Sequence, residues 1–323
     1  MAYAAGDTIT AAQYNIFVNN SSSPFGYNHF AGTGSGVYGL GQTHIATVAG
    51  GNDSATTITA SQFNTLLTGI DNIANHTNDT MTARTSVAAG DTIAIKSNLE
   101  ADLATLAASV AAGSTSATAL TTSSALQTVT SSSEGWDSSA TQEVSITFAS
   151  ADTMRHFFNA GGKVRITQGT TQASTSPKDQ SYIDMGTAIG NLDIAAQATT
   201  RSGSGETLTT DGLANGFHDL GTGYTTLIKL TSDNSNYTSN TVEISAKLNA
   251  SVGSATVMTV KVVATDGASD DQYTSPNTSG VAADIKDTPK IVTTLKTLDP
   301  NDTQGLASSI APSATATVSN STS

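Results

Sequence analysis

Hydrophobic residues follow two different periods along this chain, and the change of period falls near residue 135. Between Thr59 and Val110, apolar side chains recur at helical spacing among Thr, Asn, Ser and Asp, which is typical of amphipathic helices. The first stripe consists of Phe63, Leu66, Leu67, Ile70 and Ile73. The second consists of Leu99, Leu103, Leu106 and Val110, and its spacing of 4, 3 and 4 residues indicates packing against other helices.

Beyond Gly135 the apolar residues alternate with Ser and Thr, which predicts strands with one buried face. The alternating positions are Val144, Ile146 and Phe148, then Val164 and Ile166, Val242 and Ile244, and Met258, Val260 and Val262, with 227–230 and 291–298 as further strands. Antiparallel strands of this kind predict a sandwich-like domain. Between the first two strands, 150–162 predicts a short helix with Phe157 and Phe158 inward, reversed by two glycines.

A short phrase is written three times in the N-terminal region, as AAGDTITAAQYN from Ala4, TTITASQFN from Thr56 and AAGDTIAIKSNL from Ala88. In the first two copies a Thr stands three residues before a Gln, the capping-box pattern that begins a helix. In the third copy Ala94 replaces that Thr, so we expect the cap at Ser97 with Glu100. Each copy thus predicts a turn followed by a helix whose apolar stripe it cannot bury alone.

These patterns predict an α+β protein, with turn-helix repeats in the N-terminal region and a mainly antiparallel β-sandwich-like C-terminal domain. The predicted parts are repeats at about 4–45, 54–80 and 88–111 within 1–111, a Ser/Thr-rich linker at 112–135, the β domain at 136–298 and an extended tail at 299–323. The linker leaves room for a strand around Leu120, Leu126 and Val129. We expect the repeats to anchor the protein in an assembly.

Two groups of apolar residues are candidates for contacts with other proteins. The helix stripes supply the oligomer or anchor candidates Phe63, Leu67, Ile70, Leu99, Leu103, Leu106 and Val110. The Gly-rich loop between the first two copies supplies Phe25, Tyr27, Phe30 and Tyr38, which form either a docking surface or a local core.

The composition of the chain argues against several classes of protein. Only 12% of residues are charged and the formal net charge is -13, which opposes binding to nucleic acid. Without cysteine, neither a disulfide framework nor a thiolate metal site is available, so we expect a homo-oligomer. The first residues lack the pattern of a secretory signal peptide, and no window approaches the ~20 apolar residues of a membrane span. We expect synthesis in a host cytoplasm and no membrane insertion.

The candidate chemistry is sparse. The acidic group Asp266, Asp270 and Asp271 follows a predicted strand and is a weak candidate for Ca²⁺, against the alternative of a solvated turn. The letters GSGVYG match a dinucleotide fingerprint, but neither a preceding strand nor a following helix is predicted. The five histidines are dispersed, without the spacing of a metal site. Trp136 either fills the start of the β domain or stacks on sugars. We therefore expect neither an enzyme nor a cofactor.

The chain resembles a family of tailed-bacteriophage virion structural proteins, as in marine and cyanobacterial phages. The likeness is carried by TITAxQ[YF]N with YGLGQTHI between its first two copies, by FASADTMRHFFNAGGKVRI at 148–166, by KDQSYIDMGTAIGNLDI at 178–194 and by GTGYTTLIKLTSDNSNYTSNTVEISAK at 221–247. The resemblance covers most of the chain. It implies a setting in the neck, tail or fibre of a virion and no role for any single residue.

We therefore expect a structural component of a phage particle, present in symmetric copies that bind each other and neighbouring virion proteins. One alternative is an adhesin module that binds a host receptor or glycan. The other is a capsid decoration protein, which copy number distinguishes from a neck or tail component.

Overall fold

The computed structural model describes residues 10–22, 25–31, 43–49, 58–77, 79–90, 96–111, 120–122, 126–130, 136, 138–171, 177–234, 237–268, 290–300 and 317–322. These residues form six α-helices and two antiparallel sheets, so the protein is of the mixed α+β class. The helices are α1 (Ala11–Asn19), α2 (Tyr27–Phe30), α3 (Ala60–Thr77), α4 (Lys96–Ala111), α5 (Ala151–Asn159) and α6 (Pro177–Ile189).

Each sheet contains six of the described strands. The strands are β1 (Leu120–Thr122), β2 (Gln127–Thr130), β3 (Ser139–Thr147), β4 (Lys163–Thr171), β5 (Asn191–Ile194), β6 (Thr199–Arg201), β7 (Thr207–Asp211), β8 (Thr225–Thr231), β9 (Thr241–Leu248), β10 (Val257–Thr265), β11 (Lys290–Pro300) and β12 (Thr317–Thr322). One sheet has the order β1-β11-β4-β5-β6, with β2 also paired to β11. The other has the order β12-β3-β10-β9-β8-β7.

By contact the chain divides into two compact units. The N-terminal unit comprises 1–121, 152–162 and 299–311, and the sandwich unit comprises 122–151, 163–298 and 312–323. The predicted linker region contains β1 and β2, and β2 pairs with β11 from Leu295 to Val292. In the predicted tail, β12 pairs antiparallel with β3 of the same chain.

The core of the N-terminal unit is formed by the apolar faces of α1 to α4. Tyr14 of α1 and Phe63 of α3 stand at matching positions of the repeated phrase, and both are fully buried. The stripes of α3 and α4 enter the same cluster, together with Tyr27 and Phe30 of α2. Burying side chains of this size contributes about 1.5–3 kcal/mol each, so the short helices are held by one another.

Helix α5 fulfils the prediction for 150–162. It begins directly after Ser150, and both Phe157 and Phe158 are fully buried. Gly161 adopts a positive φ of 92°, and its N–H donates to the carbonyl of Phe158 at 3.0 Å. A left-handed residue of this kind ends a helix at least cost when it is glycine.

In the sandwich unit, burial alternates along β3 and β10 as the sequence pattern predicts. These two strands pair along nine residues, from Val257 opposite Thr147 to Thr265 opposite Ser139. The inward positions of β3 include a polar residue, Gln142, which is fully buried. Its side chain reaches the facing sheet, where Nε2 donates to the carbonyl of Ile291 at 2.8 Å and Oε1 accepts from Thr293 at 2.6 Å. The two sheets are thus joined by the hydrogen bonds of the Gln142 amide as well as by apolar packing.

Candidate functional site

The N-terminal unit contains a surface groove between α3 and the segment 43–46, with a volume of about 910 Å³. One wall is the polar face of α3, where Ser61, Thr65, Thr68 and Asn72 follow one another at helical spacing. The opposite wall includes Thr43 and His44. The groove is therefore lined mainly by hydroxyl and amide groups on a regular helix face.

Two side chains of α2 fix the wall at 43–46. The Tyr27 hydroxyl donates to the carbonyl of Thr43 at 3.0 Å. Asn28 donates to the carbonyl of Ile45 at 2.8 Å and accepts from the same residue's N–H at 2.9 Å. The Tyr27 ring lies against Gly69 of α3, where a Cβ atom would stand 2.6 Å from the ring. A glycine is therefore required for this close approach.

The Asn at the end of the repeated phrase makes the same double hydrogen bond in the first two copies. Asn15 donates to the carbonyl of Val48 at 2.9 Å and accepts from its N–H at 2.8 Å. Asn64 does the same with Val87, at 2.9 Å in both directions. An amide side chain offers a donor and an acceptor side by side, so it satisfies both polar groups of one backbone residue. We call this arrangement the Asn clamp.

The rest of the phrase positions the clamp. The N–H of Thr10 donates to Oε1 of Gln13 at 2.8 Å, and the N–H of Thr59 donates to Oε1 of Gln62 at 3.0 Å. These bonds begin α1 and α3 at equivalent places, so the aromatic residue that follows points into the core. The next residue is the clamping Asn. In the part of the phrase that the structure describes, the Gln, the aromatic residue and the Asn thus each have a local structural role.

The electrostatics of the groove are close to neutral. Burial raises the pKa of the Tyr27 hydroxyl to about 12, so it stays a protonated donor to Thr43. Among the residues that line the groove, only His44 and Tyr27 carry ionisable side chains. A surface of this kind recognises a partner by hydrogen bonds from hydroxyl and amide groups, without charge attraction.

The seven predicted interface residues lie inside the N-terminal unit. Phe63, Leu67, Ile70, Leu99, Leu103, Leu106 and Val110 are each at most 5% exposed and belong to one cluster. This corrects the prediction that they face another subunit, because the stripes of α3 and α4 cover one another within a single chain. Helix α4 begins at Lys96, and the side chain of Ser97, the predicted cap, lies outside the described residues.

For the predicted docking loop, the structure supports the alternative of a local core. Tyr27 and Phe30 are buried and Phe25 packs against the same cluster, while Tyr38 lies outside the described residues. The glycines of GSGVYG also lie outside them. In the sandwich unit, Trp136 is 1% exposed and stacks edge-on with Tyr182, as expected of a residue that fills the core.

The acidic group proposed for Ca²⁺ is represented by Asp266 alone, because Asp270 and Asp271 lie outside the described residues. The Asp266 carboxylate is 2.7 Å from the ammonium of Lys178, and both side chains are buried. The ammonium group of Lys178 therefore already pairs with the carboxylate that was expected to bind Ca²⁺. No group of three or more His, Asp or Glu residues suited to a metal ion occurs in the described part of the structure.

Sequence reasoning missed several polar residues that make tertiary contacts. Gln142, Lys178 and Arg84 stand at positions that the hydrophobic pattern treats as ordinary, and their partners are distant in sequence. The signal for the Asn clamp was present, since Asn15 and Asn64 are matched positions of the repeat. Nothing in the phrase, however, indicated Val48 or Val87 as partners.

Comparison with known proteins found no match among protein-family models, curated proteins or solved structures. Among the described residues, no helix has both the length and the apolar character needed to cross a membrane.

Proposed function

We propose that this protein is a non-enzymatic structural component of a bacteriophage particle, of the neck, tail or fibre type. It is present in several symmetric copies and binds neighbouring virion proteins. The proposal is supported mainly by the roles of the repeated phrase in the N-terminal unit. Gln13 and Gln62 bond the first residues of two helices, and Tyr14 and Phe63 fill one core. Asn15 and Asn64 clamp the backbone of neighbouring segments. A repeat whose described residues serve the local structure is consistent with a part of an assembly.

The character of the surface supports the same proposal. With 12% charged residues, contacts between copies depend mainly on hydroxyl and amide groups and on bridging water, as in many wet interfaces. The groove on α3 offers such groups on the N-terminal unit. We assign contacts with neighbouring virion proteins to this groove, since the apolar stripes are already buried.

Mass spectrometry and density maps of gradient-purified particles test the proposal. We expect the chain in intact particles, at a copy number that matches the symmetry of a neck, tail or fibre. A copy number that matches the capsid lattice would indicate a decoration protein instead. Absence from the particles, together with a purified chain that remains monomeric at all concentrations, would refute a virion role.

A second candidate function, glycan or receptor binding, is favoured by the neutral lining of the groove. Thr65 of α3 and Thr105 of α4 provide a matched pair for the test, because both are exposed and both donate to the carbonyl four residues earlier. If the groove binds host glycans, Thr65→Arg abolishes binding of the full chain to host cells and Thr105→Arg does not. Equal binding by both variants and the parent would exclude the groove as the glycan site.

A further inference from the structure

The sandwich unit buries an ion pair at the start of α6. Lys178, the second residue of the helix, places Nζ 2.7 Å from Oδ2 of Asp266, which directly follows β10. The exposed fractions of the two side chains are 4% and 3%. The pair links two parts of the unit that are far apart in sequence.

The carboxyl group of Asp266 is held in a fixed orientation. Its other oxygen, Oδ1, accepts from the backbone N–H of Ala268 at 3.2 Å. The N–H of Asp266 itself donates to the carbonyl of Ser138 at 3.0 Å. Asn240, which is fully buried, accepts from the N–H groups of Gly267 and Ala268 at 3.1 and 3.2 Å. Only Oδ2 of the carboxyl group is therefore directed at the lysine.

Aromatic side chains cover the neighbourhood of the pair. Tyr182 lies one helical turn after Lys178 on the same face of α6, is fully buried, and donates to the carbonyl of Thr265 at 3.2 Å. The ring of Trp136 packs against that of Tyr182 at a centroid distance of 5.1 Å. These contacts exclude bulk water from the residues next to the pair.

Both groups of the pair are withdrawn from bulk water. Removing two opposite charges from water costs several kcal/mol per ion, and the attraction between them recovers this cost only in part. Transfer of one proton from Nζ to Oδ2 gives a neutral amine and a carboxylic acid at contact distance. Two reacting groups held at such a separation, with bulk water excluded, react far faster than free groups in solution.

We propose that Lys178 and Asp266 condense to form an intramolecular amide bond. Nζ attacks Cγ of Asp266, and the N–H of Ala268 stabilises the negative charge that develops on Oδ1. The C–N bond forms, the bond from Cγ to Oδ2 breaks, and Oδ2 leaves as water. Of the three protons of the ammonium group, two leave with this water and one stays on the amide nitrogen, so no oxidant or other reactant is needed.

The amide closes a covalent loop between the first turn of α6 and the end of β10. A chain without cysteine has no disulfide to restrict its unfolded state, and this bond supplies the same restriction by a route independent of redox conditions. It also resists force applied along the sandwich unit, because the bond must break before α6 and β10 separate.

Mass measurement of the purified full chain tests the proposal. We expect the intact wild-type mass to be lower than the sequence mass by one water, and the Lys178→Arg variant to have its full sequence mass. Lys229→Arg is the matched control, because Lys229 lies 3.5 Å from Glu243 in an ion pair whose side chains are about one-third exposed. This variant keeps the loss of one water.

A protease digest of the wild-type chain provides a second readout that does not depend on the folding of any variant. We expect a branched peptide that joins the segment containing Lys178 to the segment containing Asp266, identified by fragmentation. A wild-type chain with its full sequence mass would overturn the proposal. So would a loss of water that persists in Lys178→Arg, or a digest with both segments only in linear peptides.

Discussion

The two units of this protein use different hydrogen bonds to hold their non-helical segments in place. In the sandwich unit, strands such as β3 and β10 satisfy each other through a backbone ladder of nine residue pairs. In the N-terminal unit, the segments that run over the helices are fixed by Asn clamps at Val48 and Val87. A helix uses its backbone donors and acceptors internally, so it must present a side-chain amide where a strand would present its own backbone.

This difference explains why the N-terminal unit needs a repeated phrase and the sandwich unit does not. A ladder is compatible with any residue of suitable shape, so β strands need only alternate apolar and polar positions. A clamp requires an Asn at one place on a helix. In the first two copies of the phrase this Asn follows the capping Gln by two residues, whereas Asn28 of α2 makes the same pair of bonds to Ile45 without such a cap. The Gln and the Asn of the phrase are therefore constrained by these bonds.

Loss of Arg84 tests the charged contacts of the N-terminal unit. Its guanidinium lies 2.9 Å from Asp71 and 3.0 Å from Asp102, and the Asp102 side chain is only 7% exposed. Because Arg84→Met leaves a buried carboxylate without its cation, we expect it to lower the free energy of unfolding of this unit by about 3–5 kcal/mol. Helix circular dichroism during urea unfolding measures the loss.

Asp71 provides the control for Arg84, since its side chain is 49% exposed in the same ion-pair group. We expect Asp71→Asn to cost at most about 1 kcal/mol. The double variant Arg84→Met with Asp102→Asn regains part of the loss, because the buried charge is then absent. Equal effects of Arg84→Met and Asp71→Asn would contradict the importance of burial.

Replacement of Gln142 tests whether a side-chain bond also matters in the sandwich unit. Gln142→Leu removes the bonds to Ile291 and Thr293 between the sheets, and Thr293 is fully buried. We expect a loss of about 2–4 kcal/mol, because buried polar groups lose their partners. Fluorescence of Trp136, the only tryptophan, reports unfolding of this unit.

Gln180 on α6 is the matched control for Gln142, because its side chain is exposed and donates only to Asp184 at 2.7 Å in the described contacts. We expect Gln180→Leu to change stability by less than about 0.5 kcal/mol. If Gln142→Leu is equally neutral, the sheets are held by apolar packing alone.

Removal of one clamp tests the N-terminal unit directly. Asn64→Ala deletes two hydrogen bonds to Val87, and we expect a loss of about 1–3 kcal/mol in the unfolding of this unit. Asn98, in the third copy of the phrase, is exposed on α4 and provides the control. Asn98→Ala is expected to be close to neutral. Ala favours a helix more than Asn does at both positions, so similar losses would mean that the bonds to Val87 do not cause the effect.

The smallest expected effect is a dependence on pH through His29. Its ring stacks on Phe25 at 3.9 Å, and burial lowers its pKa from 6.5, so the folded unit binds this proton less readily than the unfolded chain. The stability contributed by the neutral ring is fully present above pH 6.5 and declines as the pH falls below that value. Melting temperatures of the helical signal on both sides of pH 6.5 measure the decline.

Two variants separate His29 from the other histidines. His29→Phe keeps the aromatic packing and is expected to weaken the decline at acidic pH. His44→Gln, at an exposed position of the groove, is expected to leave it unchanged. A decline that is the same in wild type and His29→Phe would assign the effect to other groups.

Much of the secondary structure could be predicted because it depends on local periodicity. The stripe from Phe63 to Ile73 lies on α3, and the alternation from Val144 to Phe148 lies on and just after β3. The same stripes misled the prediction of interfaces, because spacing shows that a helix face is covered and not which chain covers it. Burial of Leu99 and Leu103 within one unit could therefore not be predicted from the sequence.

The polar contacts were harder to predict because they depend on the tertiary fold. Lys178 meets Asp266 only after α6 and β10 are in place, and each residue alone is typical of a solvated surface. Gln142 stands at an inward position where the pattern predicts an apolar residue, and its partner Ile291 is 149 residues away. The groove lies between α3, a helix of the repeats, and the segment 43–46, for which no structure was predicted.

Residue-resolved hydrogen exchange at Val48 and Val87 tests whether the Asn of the repeated phrase holds the backbone of these two residues. The N–H groups of both residues donate to a clamping Asn, so both should exchange slowly in the wild-type chain. In Asn64→Ala, Val87 should lose its protection while Val48 keeps it, and Asn15→Ala should show the reverse. Unchanged protection of Val87 in Asn64→Ala would show that Asn64 does not hold this backbone segment.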